Sequence, residues 1–120
     1  MKKQILSLLL ALLLLFAACA KPVLNTDAKT ITIVVTYEGK DETLTVETRE
    51  GTLGAALQKE GLVSGEDREY GLFIDTVNGH FADETKGEYW VFTKGGEWVT
   101  TGADTTPIED GDTFEFFLYS

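Results

Sequence analysis

The residues able to do chemistry in this sequence are few and far apart. His80 is the one histidine and Cys19 the one cysteine. Beyond Cys19 the serines are Ser64 and Ser120. A nucleophilic triad needs a nucleophile, a base and an orienting group gathered together. Ser64 sits in a polar stretch and Ser120 at the end, so no enzyme activity is expected. The acidic pairs Glu66-Asp67, Asp83-Glu84 and Glu109-Asp110, with Asp112 nearby, fall in turn-rich segments. Acid–base work needs two carboxyls in contrasted environments within a cleft, and these read as turn formers and solvated faces. The acidic stretch 104–112 lacks the spacing of an EF-hand loop, and Asp110-Gly111-Asp112 reads as a turn. No metal site is expected. His80 directly follows Asn78-Gly79 and stands at a loop tip, either solvated or against a metal or other ligand.

The aromatic residues give a stronger lead. Residues 89–98 read YWVFTKGGEW. In an extended strand Tyr89 and Val91 face one way, Trp90 and Phe92 the other. One pair is expected to fill a core. The other then lies on the opposite face of the sheet or at an edge, near Trp98 across the Gly95-Gly96 turn. An exposed aromatic patch on a small domain marks a binding surface.

The elements that position these rings follow from periodicity. In TITIVVTY, Ile31, Ile33, Val35 and Tyr37 alternate with threonines and a valine, which predicts a strand. A turn at 38–41 leads to a second strand carrying Leu44 and Val46. Leu53, Ala56 and Leu57 then form a helical stripe over 52–59, with Thr52 as N-cap and Gly61 past the end. Residues 64–67 read as polar loop. YGLFIDTV is a third strand, Asn78-Gly79 a hairpin turn, and HFAD its return. YWVFTK and EWVTT form another hairpin. DTFEFFLY is a last strand with Phe114, Phe116 and Leu118 on one face. This order predicts an α+β domain, a β-grasp-like mixed sheet with one short packed helix, over 29–120.

The N-terminus reads differently. Lys2 and Lys3, an apolar run to Phe16 and small residues at 17–18 describe a signal peptide over 1–18. The apolar run is short for a spanning helix. Cys19 follows Ala17-Ala18 and resembles the acylated first residue of bacterial lipoproteins. Ordinary cleavage after Ala18-Cys19-Ala20 is the alternative. Acylated Cys19 would anchor the chain to the lipid bilayer, extracytoplasmic, through a tether over 19–28. Residues 21–28 reach at most about 28 Å. Removing Lys2 and Lys3 leaves 8 basic residues against 20 acidic ones, a net of −12. That charge argues against nucleic acid as a partner.

From about 31 to 118 the chain resembles the C-terminal β-domain of transcobalamin and intrinsic factor, as carried by bacterial lipoproteins. The matching pieces are the helix start at 52–57, GLFIDTVNG, the Tyr89-Trp90 pair, Gly102 and DGDTFEFFL. The resemblance implies a β-grasp fold. It implies cobalamin or another corrinoid as bound ligand, with contacts at Val77, Asn78, Trp90 and the hairpin bearing Trp98. In transcobalamin a helical barrel covers the other face of the ligand. This sequence has no such barrel, so a second envelope protein is implied to complete the site. The alternative is an envelope protein-interaction module without a small ligand. A pocket bordered by Trp90 and Trp98 would favour the first reading, and a flat patch there the second.

Overall fold

The structure, a computed structural model, describes residues 27–120. The expected signal peptide, Cys19 and all but the last two residues of the tether lie outside the described residues. Strand β1 (Lys29–Tyr37) and strand β2 (Lys40–Thr48) pair antiparallel, with Ile33 opposite Leu44 and Val35 opposite Glu42. Their two-residue turn places both Glu38 and Gly39 at positive φ, +50° and +79°. That geometry follows the right-handed twist of the flanking strands.

Helix α1 (Leu53–Lys59) begins where the Thr52 side chain accepts from the Ala55 N–H and ends against Gly61 at φ +71°. Gly61 N–H bonds to the Gln58 carbonyl and Leu62 N–H to the Leu57 carbonyl, which closes the last turn. Leu53, Gly54, Ala56 and Leu57 are buried. Gly54 is required by proximity: a Cβ there would lie 2.9 Å from the Asp104 Cα. Asp104 belongs to a 3-10 turn, Ala103–Thr105, packed against the helix.

The remaining strands are β3 (Val63–Arg68), β4 (Gly71–Val77), β5 (His80–Phe81), β6 (Tyr89–Lys94), β7 (Glu97–Trp98) and β8 (Thr113–Tyr119). Five of the eight form a sheet in the order β2-β1-β8-β6-β7. Only β1 and β8 run parallel, so the sheet is mixed. A second, antiparallel sheet has the order β3-β4-β5. Ile31, Ile33 and Val35 from β1 and Phe114 and Phe116 from β8 share one buried core with Leu53 and Leu57 of the helix. Among the described residues the architecture is α+β: mostly strands, with a mixed sheet and one short helix. Among the described residues no helix is long and apolar enough to cross a membrane.

The strand expected over EWVTT is cut to Glu97–Trp98, and a second expectation fails outright. Residues 64–67, read as loop, belong to β3 and pair with β4. Nothing apolar alternates in SGEDR because four of its five residues are exposed. The strand is held through its backbone and through Arg68, whose guanidinium lies 3.8 Å over the Phe73 ring and pairs with Glu84 at 3.1 Å. The register slips between Ser64 and Gly65. A Cβ on Gly65 would meet the Phe73 carbonyl oxygen at 1.8 Å, so only glycine fits this bulge.

Candidate functional site

Two hairpins and one strand bring a polar–aromatic group together. The β1–β2 hairpin supplies Tyr37 and Glu42. The β4–β5 turn supplies Asn78 and His80, and β6 supplies Trp90. Asn78 takes φ +49° in that turn, a conformation asparagine tolerates better than most residues. Its backbone N–H is fixed on the Leu62 carbonyl at 2.7 Å. The His80 ring stacks on Tyr37 with centroids 4.1 Å apart and planes 13° from parallel. Its Nε2 donates to Oε1 of Glu42 at 2.9 Å. Asn78 Nδ2 donates to the same oxygen at 3.0 Å. The Trp90 indole N–H donates to the His80 carbonyl at 3.1 Å, and its ring lies 6.3 Å from Tyr37.

Electrostatics follow from these bonds. The hydrogen bond from His80, and next that from Asn78, hold the Glu42 carboxyl below the ordinary carboxylate range. Glu42, Tyr37 and His80 line an open cleft of about 240 Å³, with Glu38 and Lys40 on its rim. On its other side Trp90 lines an apolar cleft of about 210 Å³ between Leu72, Phe73 and Ile74 of β4 and Phe92 of β6, floored by Phe116. A third cleft, about 310 Å³, is bounded by Glu47, Arg49, Lys59 and Glu60 and is strongly charged.

Three of the five residues singled out in the sequence meet here: Asn78, His80 and Trp90. Val77 does not reach the surface. It is 1% exposed because its side chain points into the core, and it supports the turn from beneath. Trp98 stands elsewhere. It pairs with Thr93, on the sheet face opposite Trp90. There it is 66% exposed and meets Phe117 edge-on at 5.4 Å. Val91, Phe117 and the Tyr89–Tyr119 pair, with centroids 5.0 Å apart, share that face. None of these three clefts is bordered by both tryptophans.

The remaining candidates are held by local structure. Ser64 and Ser120 are exposed. Glu66 pairs with Arg68, and Asp83 caps the 3-10 turn Glu84–Lys86 by accepting from Thr85. Asp110 accepts from the Thr30 N–H at 2.7 Å, and Asp112 from the Glu109 N–H at 2.8 Å. Among the described residues no three His, Cys, Asp or Glu side chains gather closely enough to hold a metal ion. Sequence reasoning missed Tyr37 and Glu42. Tyr37 reads as one more residue of the alternating face of β1, Glu42 lies on β2 between the turn and the alternating residues read there, and only the tertiary pairing shows that both meet the Asn78 turn.

Residues 50–119 match the family model described as Domain of unknown function (DUF4430). No curated protein matches the chain significantly. Among solved structures, a candidate metal-binding protein from Ruminococcus gnavus ATCC 29149 is 45% identical, with a TM-score of 0.73. The match covers 77% of this chain and 97% of that one. Haptocorrin, solved in complex with Cbi, is 18% identical with a TM-score of 0.67 over 79% of this chain. At that identity the likeness is one of fold, and it is a transcobalamin-like fold. The match spans 26% of haptocorrin.

Proposed function

The chain belongs to the DUF4430 family, and on that premise we propose that it is an extracytoplasmic ligand-binding module offering half of a shared site. The ligand to test first is cobalamin or another corrinoid. The carrying observation is the convergence of Tyr37, Asn78, His80 and Trp90 beside two clefts too small to enclose a ligand, with the charged third cleft elsewhere. The clefts of about 210, 240 and 310 Å³ stand at or below the lower end of small-molecule sites, roughly 300–1,000 Å³. A flat ligand would therefore rest on this surface with its other side open. A second envelope protein would cover that side. The strand order β2-β1-β8-β6, with its parallel central pair, supports reading the fold as a β-grasp. Acylation of Cys19 would hold the module at the bilayer.

Calorimetric titration of the purified protein with cobalamin tests the reading. Saturable one-to-one binding, weakened by Tyr37→Ala, is expected. Absence of binding up to about 0.1 mM, weaker than about −5.5 kcal/mol, would end the corrinoid reading. Anchoring is tested separately: Cys19→Ser should move the protein out of the membrane fraction, and an unchanged distribution would place the anchor elsewhere.

One observation favours the second reading, a protein-interaction module without a small ligand. Trp98, Phe117, Tyr89 and Tyr119, with Val91 among them, form an aromatic-rich face on the side of the sheet opposite Trp90. If cobalamin fails to bind, this face becomes the site to map.

A further inference from the structure

We infer that Glu42, Asn78 and His80 form a binding site for one divalent transition-metal ion of the zinc and nickel class. The site shares Asn78 and His80 with the surface assigned to the corrinoid, but its test needs no corrinoid.

The argument rests on the spacing of three donor atoms. Glu42 Oε1 lies 2.9 Å from His80 Nε2 and 3.0 Å from the terminal amide of Asn78. A metal ion with ligands at about 2.1 Å separates neighbouring octahedral ligands by about 3.0 Å. His80 and Asn78 each already stand at that separation from the Glu42 oxygen before any metal arrives. Rotating the Asn78 amide by half a turn exchanges its nitrogen for its oxygen, and the two are alike in shape. The oxygen then faces the same point as Glu42 and His80. Without a cation that rotation would set two oxygens against each other, so the amide direction and the ion are coupled.

The backbone beneath is held firmly. Asn78 is fixed by its bond to Leu62, His80 by stacking on Tyr37 and by Trp90 on its carbonyl, and Glu42 by pairing with Val35. Such supporting contacts orient ligating side chains and raise affinity. The remaining coordination positions would open into the 240 Å³ cleft. An imidazole among the ligands favours zinc, nickel or copper over magnesium or calcium. The set of one imidazole, one carboxylate and one amide leaves positions free for water or an incoming ligand.

The test is titration of the full chain with Ni²⁺, carrying Cys19→Ser so that the thiol does not compete. Calorimetry gives stoichiometry and affinity. Tryptophan fluorescence in a Trp98→Phe background isolates Trp90, which touches the His80 backbone. One equivalent should bind and quench Trp90. His80→Ala and Glu42→Gln should each weaken binding at least about tenfold. Asn78→Asp, which exchanges the amide for a carboxylate at a position where aspartate is tolerated, should tighten it. Should His80→Ala fail to fold, Glu42→Gln and Asn78→Asp decide alone. Binding that none of these substitutions alters, several weak equivalents spread over the acidic surface, or no binding at all would overturn the site.

Discussion

Leu57→Ala removes the residue that ties α1 to the mixed sheet. Leu57 is 0% exposed and shares its core with Ile31, Ile33, Val35, Phe114 and Phe116. The substitution deletes three carbons from a fully buried side chain. At about 0.8 kcal/mol per methylene, transfer alone costs about 2.4 kcal/mol. The hole lies between a helix pinned by Gly54 against the Asp104 backbone and a sheet whose strands are fixed by their ladders. Neither wall can close freely, so a cavity cost adds to the transfer cost, and the total belongs in the 2–5 kcal/mol range of buried leucine truncations, near about 3. The better helix propensity of alanine offsets only a few tenths of this. With a urea slope of about 1–3 kcal/mol per molar, the midpoint should fall by about 1–3 M. Gln58→Ala, exposed on the same helix, should leave it nearly unchanged. Equilibrium urea melts by circular dichroism give both values. A loss below about 0.5 kcal/mol for Leu57→Ala would show that the stripe is not where the helix meets the sheet.

Gly65→Ala should cost about 1–3 kcal/mol, because its Cβ collides with the Phe73 carbonyl and the β3–β4 ladder must open; amide exchange of β3 would rise first, and unaltered exchange would argue against the bulge. The two tryptophans should separate cleanly. Trp90→Ala, at 9% exposure, should cost about 3–5 kcal/mol, whereas Trp98→Ala should leave the melting midpoint within a few degrees, and equal losses would refute their assignment to opposite faces. The hydrogen bond from the Thr85 side chain holds Asp83 below its ordinary value of 3.8. A depressed carboxylate stabilises the fold above its unfolded value, and that contribution is lost as pH falls through the folded value. Asp83→Asn should therefore be less stable than the parent at pH 7 and approach it as pH falls below 3.8 and through the lowered folded value; a gap unchanged with pH would remove the charge from the explanation.

How much was legible in the sequence depended on where side chains had to be apolar. Ile31, Ile33 and Val35 announce β1, and Phe114, Phe116 and Leu118 announce β8, because one face of each strand meets the core. Thr52 and Gly61 mark the helix ends for local backbone reasons, and Asn78-Gly79 marks a turn for the same reason. The polar strand β3 left no pattern, since its exposed side chains carry no period and its pairing resides in the backbone. The Trp90 and Phe92 faces were readable as a pair, but which pair lay inward was decided by β8 alongside. The site was half legible. Asn78, His80 and Trp90 stand within 13 residues, whereas Glu42 meets His80 across 38 positions, a distance that no local motif spans.

The parallel pairing of β1 with β8 also sets how the domain bears load. Thr32 lies beside Thr113 and Thr36 beside Phe117, so the two strands run side by side in the same direction. A pull that enters through the start of β1 and leaves through the end of β8 draws them past each other lengthwise. Every hydrogen bond of that ladder is then strained at once, rather than opened singly as in a zipper. Resistance to such a pull is governed by the unfolding rate rather than by equilibrium stability. A domain held at its β1 end and tugged at its β8 end is thus gripped along its strongest direction, while a pull across β6 and β7 would peel that edge away strand by strand.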